Sequence, residues 1–167
     1  FRGDDAAGLV AARRLRERLP AGVRVLALEG DLSVLLDAWQ GAECVVLIDA
    51  MAPGAAPGTV LRFEARDAPP AAQSFRGSTH AFGIVEAVEL ARALAQLPPR
   101  VVVYGIEGKS FDAGEGLTPE VAAAVEQVIE MVLAGPMASF CARKPSALAR
   151  PCALITSACT HGYLVTA

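Results

Sequence analysis

The chain has 167 residues, enough for one domain with a substantial core, and its 53% hydrophobic and 20% charged content excludes an intrinsically disordered polypeptide. A formal net charge of −3 leaves no electrostatic footprint for nucleic acid. No uncharged apolar run reaches membrane-spanning length, and Phe1-Arg2-Gly3-Asp4-Asp5 turns acidic where a secretory signal would turn apolar, so a soluble cytoplasmic protein with no membrane partner is expected.

Leu9, Ala12, Leu15 and Leu19 recur at helical spacing, and Pro20-Ala21-Gly22 stops that first helix. Val23 to Leu28 reads as a short strand. Asp31 can cap a second helix carrying Leu32, Leu35, Leu36 and Trp39. Cys44 to Ile48 is apolar at every position, as expected of a central strand covered on both faces. After the turn-rich Pro53 to Gly58, the segment Thr59 to Ala65 alternates Arg62 and Glu64 with Leu61, Phe63 and Ala65, the pattern of a half-exposed edge strand. A polar loop runs to Ser78-Thr79-His80. Ile84, Val85, Val88, Ala91 and Leu94 then share a helical face, ended by Pro98-Pro99. Val101 to Tyr104 is a second buried strand. Thr118-Pro119 supplies an N-cap with proline at the first helical position, and Val121, Ala124, Val125, Val128, Ile129 and Val132 form the last amphipathic helix. The class this implies is α/β: a three-layer fold with one mostly parallel twisted sheet and helices on both faces.

Composition breaks near residue 135. All 18 acidic residues lie before it, whereas 136–167 holds Arg143, Lys144 and Arg150, no acid, and three of the four cysteines. The division expected is a domain over 1–135 followed by an atypical, loose or non-native tail. Cys152, Cys159 and His161 match no zinc finger or ribbon spacing. Cys44 reads as a buried reduced thiol.

Chemistry is expected where ligands collect in open α/β sheets, at the carboxyl ends of the parallel strands. Asp49 directly follows Cys44 to Ile48, Asp5 opens the first helix, and His80 stands at the threshold of a later one. Each has a plainer reading: Asp5 as a helix cap, Asp49 as a polar strand terminator, His80 as a cap or surface residue. Two carboxylates and one imidazole converging there would suit a borderline divalent cation such as nickel or zinc.

Five stretches sharpen this. Gly3-Asp4-Asp5-Ala6-Ala7-Gly8 resembles the Gly-Asp-(Asp/Glu)-x-x-Gly motif of the hydrogenase maturation proteases. Val46 to Ala50 with Pro57-Gly58-Thr59, then Ser78-Thr79-His80-x-x-Gly83, Gly105-Ile106-Glu107 and Gly116 to Val121 resemble the family's later motifs, in its order. The resemblance covers about residues 1–134. It implies a five-stranded phosphorylase/hydrolase-like sheet, and a monomeric endopeptidase that removes the C-terminal extension of the nickel-iron hydrogenase large-subunit precursor. The family's metal-contacting and catalytic positions fall on Asp5, Asp49 and His80. The nickel would be presented by the substrate, with zinc or cadmium able to stand in. Polarisation of the carbonyl by the metal and a carboxylate acting as general base are both open as mechanisms. The family is often filed under aspartic peptidases, although neither acidic motif resembles the loops of the pepsin class. An inactive relative that binds a metalloprotein precursor, as a chaperone would, is the alternative.

Two departures accompany the resemblance. Family members open with an apolar strand ending in Gly-x-Gly-Asn; here the chain begins at Phe1 and contains no Asn. That strand should be central, so its loss is expected to leave unpaired backbone and exposed apolar groups beside the site. The chain is therefore expected to be a fragment of low stability. The second departure is the tail, 136–167, which matches nothing in the family.

Overall fold

A computed structural model describes residues 3–20, 22–28, 32–51, 54–67, 79–112, 116–135 and 151–157. A short 3-10 turn, Gly3–Ala6, leads into α1 (Ala7–Arg18). There follow β1 (Val23–Leu28), α2 (Leu32–Ala38), β2 (Cys44–Met51), β3 (Val60–Glu64), α3 (Thr79–Ala93), β4 (Arg100–Glu107), α4 (Pro119–Ala134) and β5 (Cys152–Ser157). The five strands form one sheet in the order β1-β5-β2-β4-β3. All neighbouring pairs are parallel except β3, which runs antiparallel at the edge beside β4.

The two central runs explain the layering. Every residue of β2 is buried, so its alternating side chains must feed two cores. Cys44, Val46, Ile48 and Ala50 join α1 and α4 on one face. Val45, Leu47 and Met51 join Trp39 and the apolar stripe of α3 on the other. The expected three-layer class and the edge position of the Thr59–Ala65 segment are both observed. The helices at residues 7–18 and 119–134 carry the predicted apolar faces, with Leu15, Val125 and Ile129 fully buried. Asp31, the expected cap of α2, lies outside the described residues.

The tail expectation needs correction. Residues 152–157 are no loose appendage but an interior strand of the sheet, hydrogen-bonded in parallel to β1 on one side and β2 on the other. The physical reason is the short run Cys152-Ala153-Leu154-Ile155, buried at every position, with Leu154 entering the core beneath α1 and Ile155 the opposite one. The slot expected to stand empty for want of an N-terminal strand is thus filled by β5, and the facing edges of β1 and β2 are both paired. Residues 136–150 and 158–167 lie outside the described residues.

β5 also revises the reading of Cys152. It stands in register with Cys44, at the amino end of the sheet and away from the strand ends where chemistry was expected. Both cysteines are reduced and buried. A hydrogen bond with Cys152 is the main cause that lowers the Cys44 pKa, ahead of burial, which raises it. Cys159 and His161 lie outside the described residues.

Candidate active site

The strand ends at the carboxyl edge are held by an acid that the sequence reading passed over. Asp4 is fully buried. Its Oδ2 accepts hydrogen bonds from the backbone N–H groups of Lys109 (2.7 Å) and Ser110 (3.0 Å), and its Oδ1 accepts one from Thr118 N–H (2.7 Å). The Thr118 hydroxyl donates to the same carboxylate, and the Asp4 N–H donates to Ser110 O (2.8 Å). Thr118 does occupy the N-cap position of α4, but its side chain is spent on Asp4 and makes no capping bond of its own. Gly3 permits this closeness: its φ is +47°, and a Cβ there would lie 3.1 Å from the Ser110 carbonyl carbon. One carboxylate therefore fixes the turn before α1, the loop after β4 and the start of α4.

Burial raises the Asp4 pKa, yet the hydrogen bonds from Ser110, Thr118 and Lys109 outweigh it and hold the carboxyl below its ordinary range. Asp4→Ala strands three backbone donors, each worth about 1–3 kcal/mol when left buried without a partner. A loss of roughly 3 kcal/mol or more is expected in denaturant unfolding. Because the folded pKa is depressed, the stabilisation by Asp4 is present above the unfolded value near ~3.9 and is lost as pH falls through the folded one. Acid unfolding of wild type should consequently be steeper than that of Asp4→Asn.

Asp5 follows directly, buried, in the turn that enters α1. The N-cap position of α1 is taken by Ala6, one residue after Asp5. Asp49 lies inside β2, not after it as the sequence suggested; the ladder continues through Asp49↔Gly105, Ala50↔Ile106 and Met51↔Glu107. It is 3% exposed, and its Oδ1 has no hydrogen-bond partner among the described residues. Burial pushes the Asp49 carboxyl well above the usual carboxylate range, the Asp5 charge pushes it further, and the Ala50 N–H partly opposes both. The two expected acids are thus electrostatic neighbours at the end of β2.

His80 is the second residue of α3, one helical turn ahead of Ile84, which packs with Asp49 around a common cavity. That puts the His80 backbone at the same edge of the sheet. Its side chain lies outside the described residues. Among the described residues no group of three His, Cys, Asp or Glu side chains gathers to hold a metal ion. Asp5 and Asp49 supply two oxygen donors, and an orphaned, buried Asp49 Oδ1 is the sort of atom that a cation would satisfy.

A second overlooked acid, Glu107, is also buried, at the end of β4. Its Oε2 accepts the Gly54 N–H (3.1 Å), its carbonyl accepts the Gly58 N–H (2.8 Å) and its own N–H donates to Thr59 O (2.9 Å). It fastens the 54–59 loop beside the site. The Gly105-Ile106-Glu107 string contained that signal, but nothing local in the sequence tells a buried loop anchor from a surface acid.

The chain has relatives among known proteins. The chain is 28% identical over 133 residues to the hydrogenase expression/formation protein HupD of Thiocapsa roseopersicina, covering 78% of this chain and 60% of that protein. It is likewise 28% identical over 129 residues to HupD of Rhodobacter capsulatus, covering 75% and 61%. The chain thus spans about 60% of the length of these curated relatives. In three dimensions it is similar to the hydrogenase maturating endopeptidase HybD from E. coli, with a TM-score of 0.64, 26% identity, and coverage of 80% of this chain and 83% of that one. It is also similar to the [NiFe] hydrogenase maturation protease HybD from Thermococcus kodakarensis, with a TM-score of 0.58, 28% identity, and coverage of 79% and 89%. The hydrogenase maturation protease family model matches residues 16–135. Since that segment runs from within α1 to the end of α4, taking in β2 with Asp49 and the start of α3, the chain belongs to the hydrogenase maturation protease family.

Proposed function

We propose that this chain is an endopeptidase that removes the C-terminal extension of a nickel-iron hydrogenase large-subunit precursor once nickel has been inserted. The nickel belongs to the substrate, held by the precursor's own cysteines, and Asp5, Asp49 and His80 complete its coordination. The observation that carries the reading is Asp49: a buried carboxylate oxygen with no hydrogen-bond partner among the described residues, beside a second acid, at the carboxyl edge of the sheet, in a chain of this family. Two oxygen donors and one imidazole form a donor set that accepts nickel, and equally zinc or cadmium. No described helix is long and apolar enough to cross a membrane, and the reading places the protein in the cytoplasm as a monomer that meets its precursor there.

Hydrolysis adds water to the scissile carbonyl and releases the amine with a proton. Docking on the nickel would fix the peptide beside Asp5 and Asp49, so that one of these carboxylates takes the proton from water or the metal polarises the carbonyl. In this sense the site is aspartic without being a pepsin-like dyad.

The test is the intact mass of nickel-loaded precursor before and after incubation with the chain, with nickel-free precursor and His80→Ala as controls. Loss of a C-terminal peptide that requires both nickel and His80 is expected. Stable binding without any change in mass would replace the protease reading with that of an inactive relative that holds the precursor.

A further inference from the structure

Cys44 opens β2 and Cys152 opens β5, and the two stand opposite each other across the parallel ladder. Neighbouring strands run about 4.8 Å apart, within the roughly 4.4–6.8 Å between Cα atoms that a disulfide spans. Both side chains enter the same core, beneath α1 and α4. Their thiols are hydrogen-bonded, and that bond is the main cause that lowers the Cys44 pKa; burial opposes it. Arg100, in register with Cys44 on its other flank, lowers it further, against the weaker influence of Glu64 and Glu43. The pair lies at the amino edge of the sheet, at the opposite end of β2 from Asp49, and the proposed function makes no use of it. The surface is one residue away: Glu43 is half-buried and Pro151 exposed.

We propose that Cys44 and Cys152 form a peroxide-oxidised site that closes to a reversible disulfide between β2 and β5. A thiolate, not a thiol, attacks such an oxidant, and oxidation-sensitive cysteines combine a depressed pKa with an adjacent resolving thiol. Cys44 is the attacking group. Its sulfur bonds to one oxygen of hydrogen peroxide, the O–O bond breaks, and the departing hydroxide takes up the Cys44 proton as water. The Cys152 sulfur then attacks the Cys44 sulfenic acid: the S–S bond forms, the S–O bond breaks, and the second hydroxide leaves with the Cys152 proton as water. The two thiols together lose two electrons, and one peroxide gains them. No strand has to change register for the second thiol to reach the first.

The consequence follows from the topology. β5 is an interior strand, yet it comes from the far end of the chain, and hydrogen bonds and packing alone hold it between β1 and β2. A bond from residue 44 to residue 152 closes a long loop, which constrains the unfolded chain far more than the folded one. Oxidation therefore locks β5 into the sheet, at the end remote from the acids.

The experiment treats the reduced full-length chain with hydrogen peroxide, alkylates the remaining thiols after unfolding, and reads intact mass and a peptide map. The mass should fall by that of two hydrogen atoms, one peptide pair should join Cys44 to Cys152, and dithiothreitol should reverse both changes. A Cys141→Ser/Cys159→Ser variant should form the same bond. The oxidised chain should melt about 5–15 °C above the reduced one, and Cys152→Ala should show no such rise. If Cys152→Ala does not fold, the map and the melting shift of wild type carry the test. Full alkylation of Cys44 and Cys152 after peroxide treatment would overturn the site. So would a sulfinic acid at Cys44 beside an alkylated Cys152, or a bond from either cysteine to Cys141 or Cys159.

Discussion

Asp49→Asn is expected to abolish precursor processing, by about 10²- to 10⁴-fold, while relieving the isolated chain of a stability loss at neutral and alkaline pH. The first half follows from position, since the variant removes a charged oxygen from the end of β2 where the substrate's nickel would dock. The second half follows from the folded-state environment. Burial first, and the Asp5 charge second, raise the Asp49 pKa in the folded chain above its unfolded value near ~3.9. A group with a raised folded pKa leaves stability whole below the unfolded value and withdraws it as pH rises through the folded one. Wild type should accordingly lose stability across that rise, and Asp49→Asn, which has no proton to lose, should not. Thermal unfolding followed from pH 4 to pH 8 checks this: the two curves should lie close at the acid end and separate with increasing pH. A substitution that costs activity yet favours stability is the signature of a group kept for chemistry.

Leu154→Pro is expected to abolish cooperative folding. Leu154 is fully buried in β5 and pairs with Val25 on one side and Val46 on the other. Proline there removes a ladder donor from an interior strand, which leaves a buried carbonyl unpaired, and a large side chain from the core, about 1–3 kcal/mol and about 2–5 kcal/mol respectively. Together these are comparable to the whole stability of an ordinary domain, roughly 5–15 kcal/mol. Leu154→Ala, which keeps the ladder, should cost only about 2–5 kcal/mol and still melt cooperatively. Were 136–167 a loose tail, both substitutions would be neutral, so urea unfolding of the pair decides where β5 belongs.

Much of the fold was legible because its signals are local. The unbroken apolar run of β2, the alternation of Arg62 and Glu64 in β3 and the stripe of α4 each declare a burial pattern within a few residues. Asp5 and Asp49 were legible for a topological reason: acids at strand ends and helix starts of an α/β chain fall on one edge. β5 was hidden because its partners lie far away in sequence and the composition around it argues for a boundary. Cys152 read as part of a loose tail, and only its register with Cys44 shows it to be core. Asp4 was hidden differently. It stands beside Asp5 with the same side chain, and what separates their roles is contact with Lys109, Ser110 and Thr118, more than a hundred residues on. No periodicity or cap rule carries that information.

Beyond cleavage itself, the claim at the centre is that this edge of the sheet touches the substrate's nickel. Nickel-edge X-ray absorption of the loaded precursor, recorded alone, with wild type and with Asp49→Asn, tests it directly. Wild type should add oxygen or nitrogen neighbours to the sulfur shell of the nickel, and Asp49→Asn should add fewer. A nickel spectrum unchanged by wild type, in a sample where the precursor is still being cut, would show that the acids at the end of β2 act on the peptide without the metal and would contradict the claim.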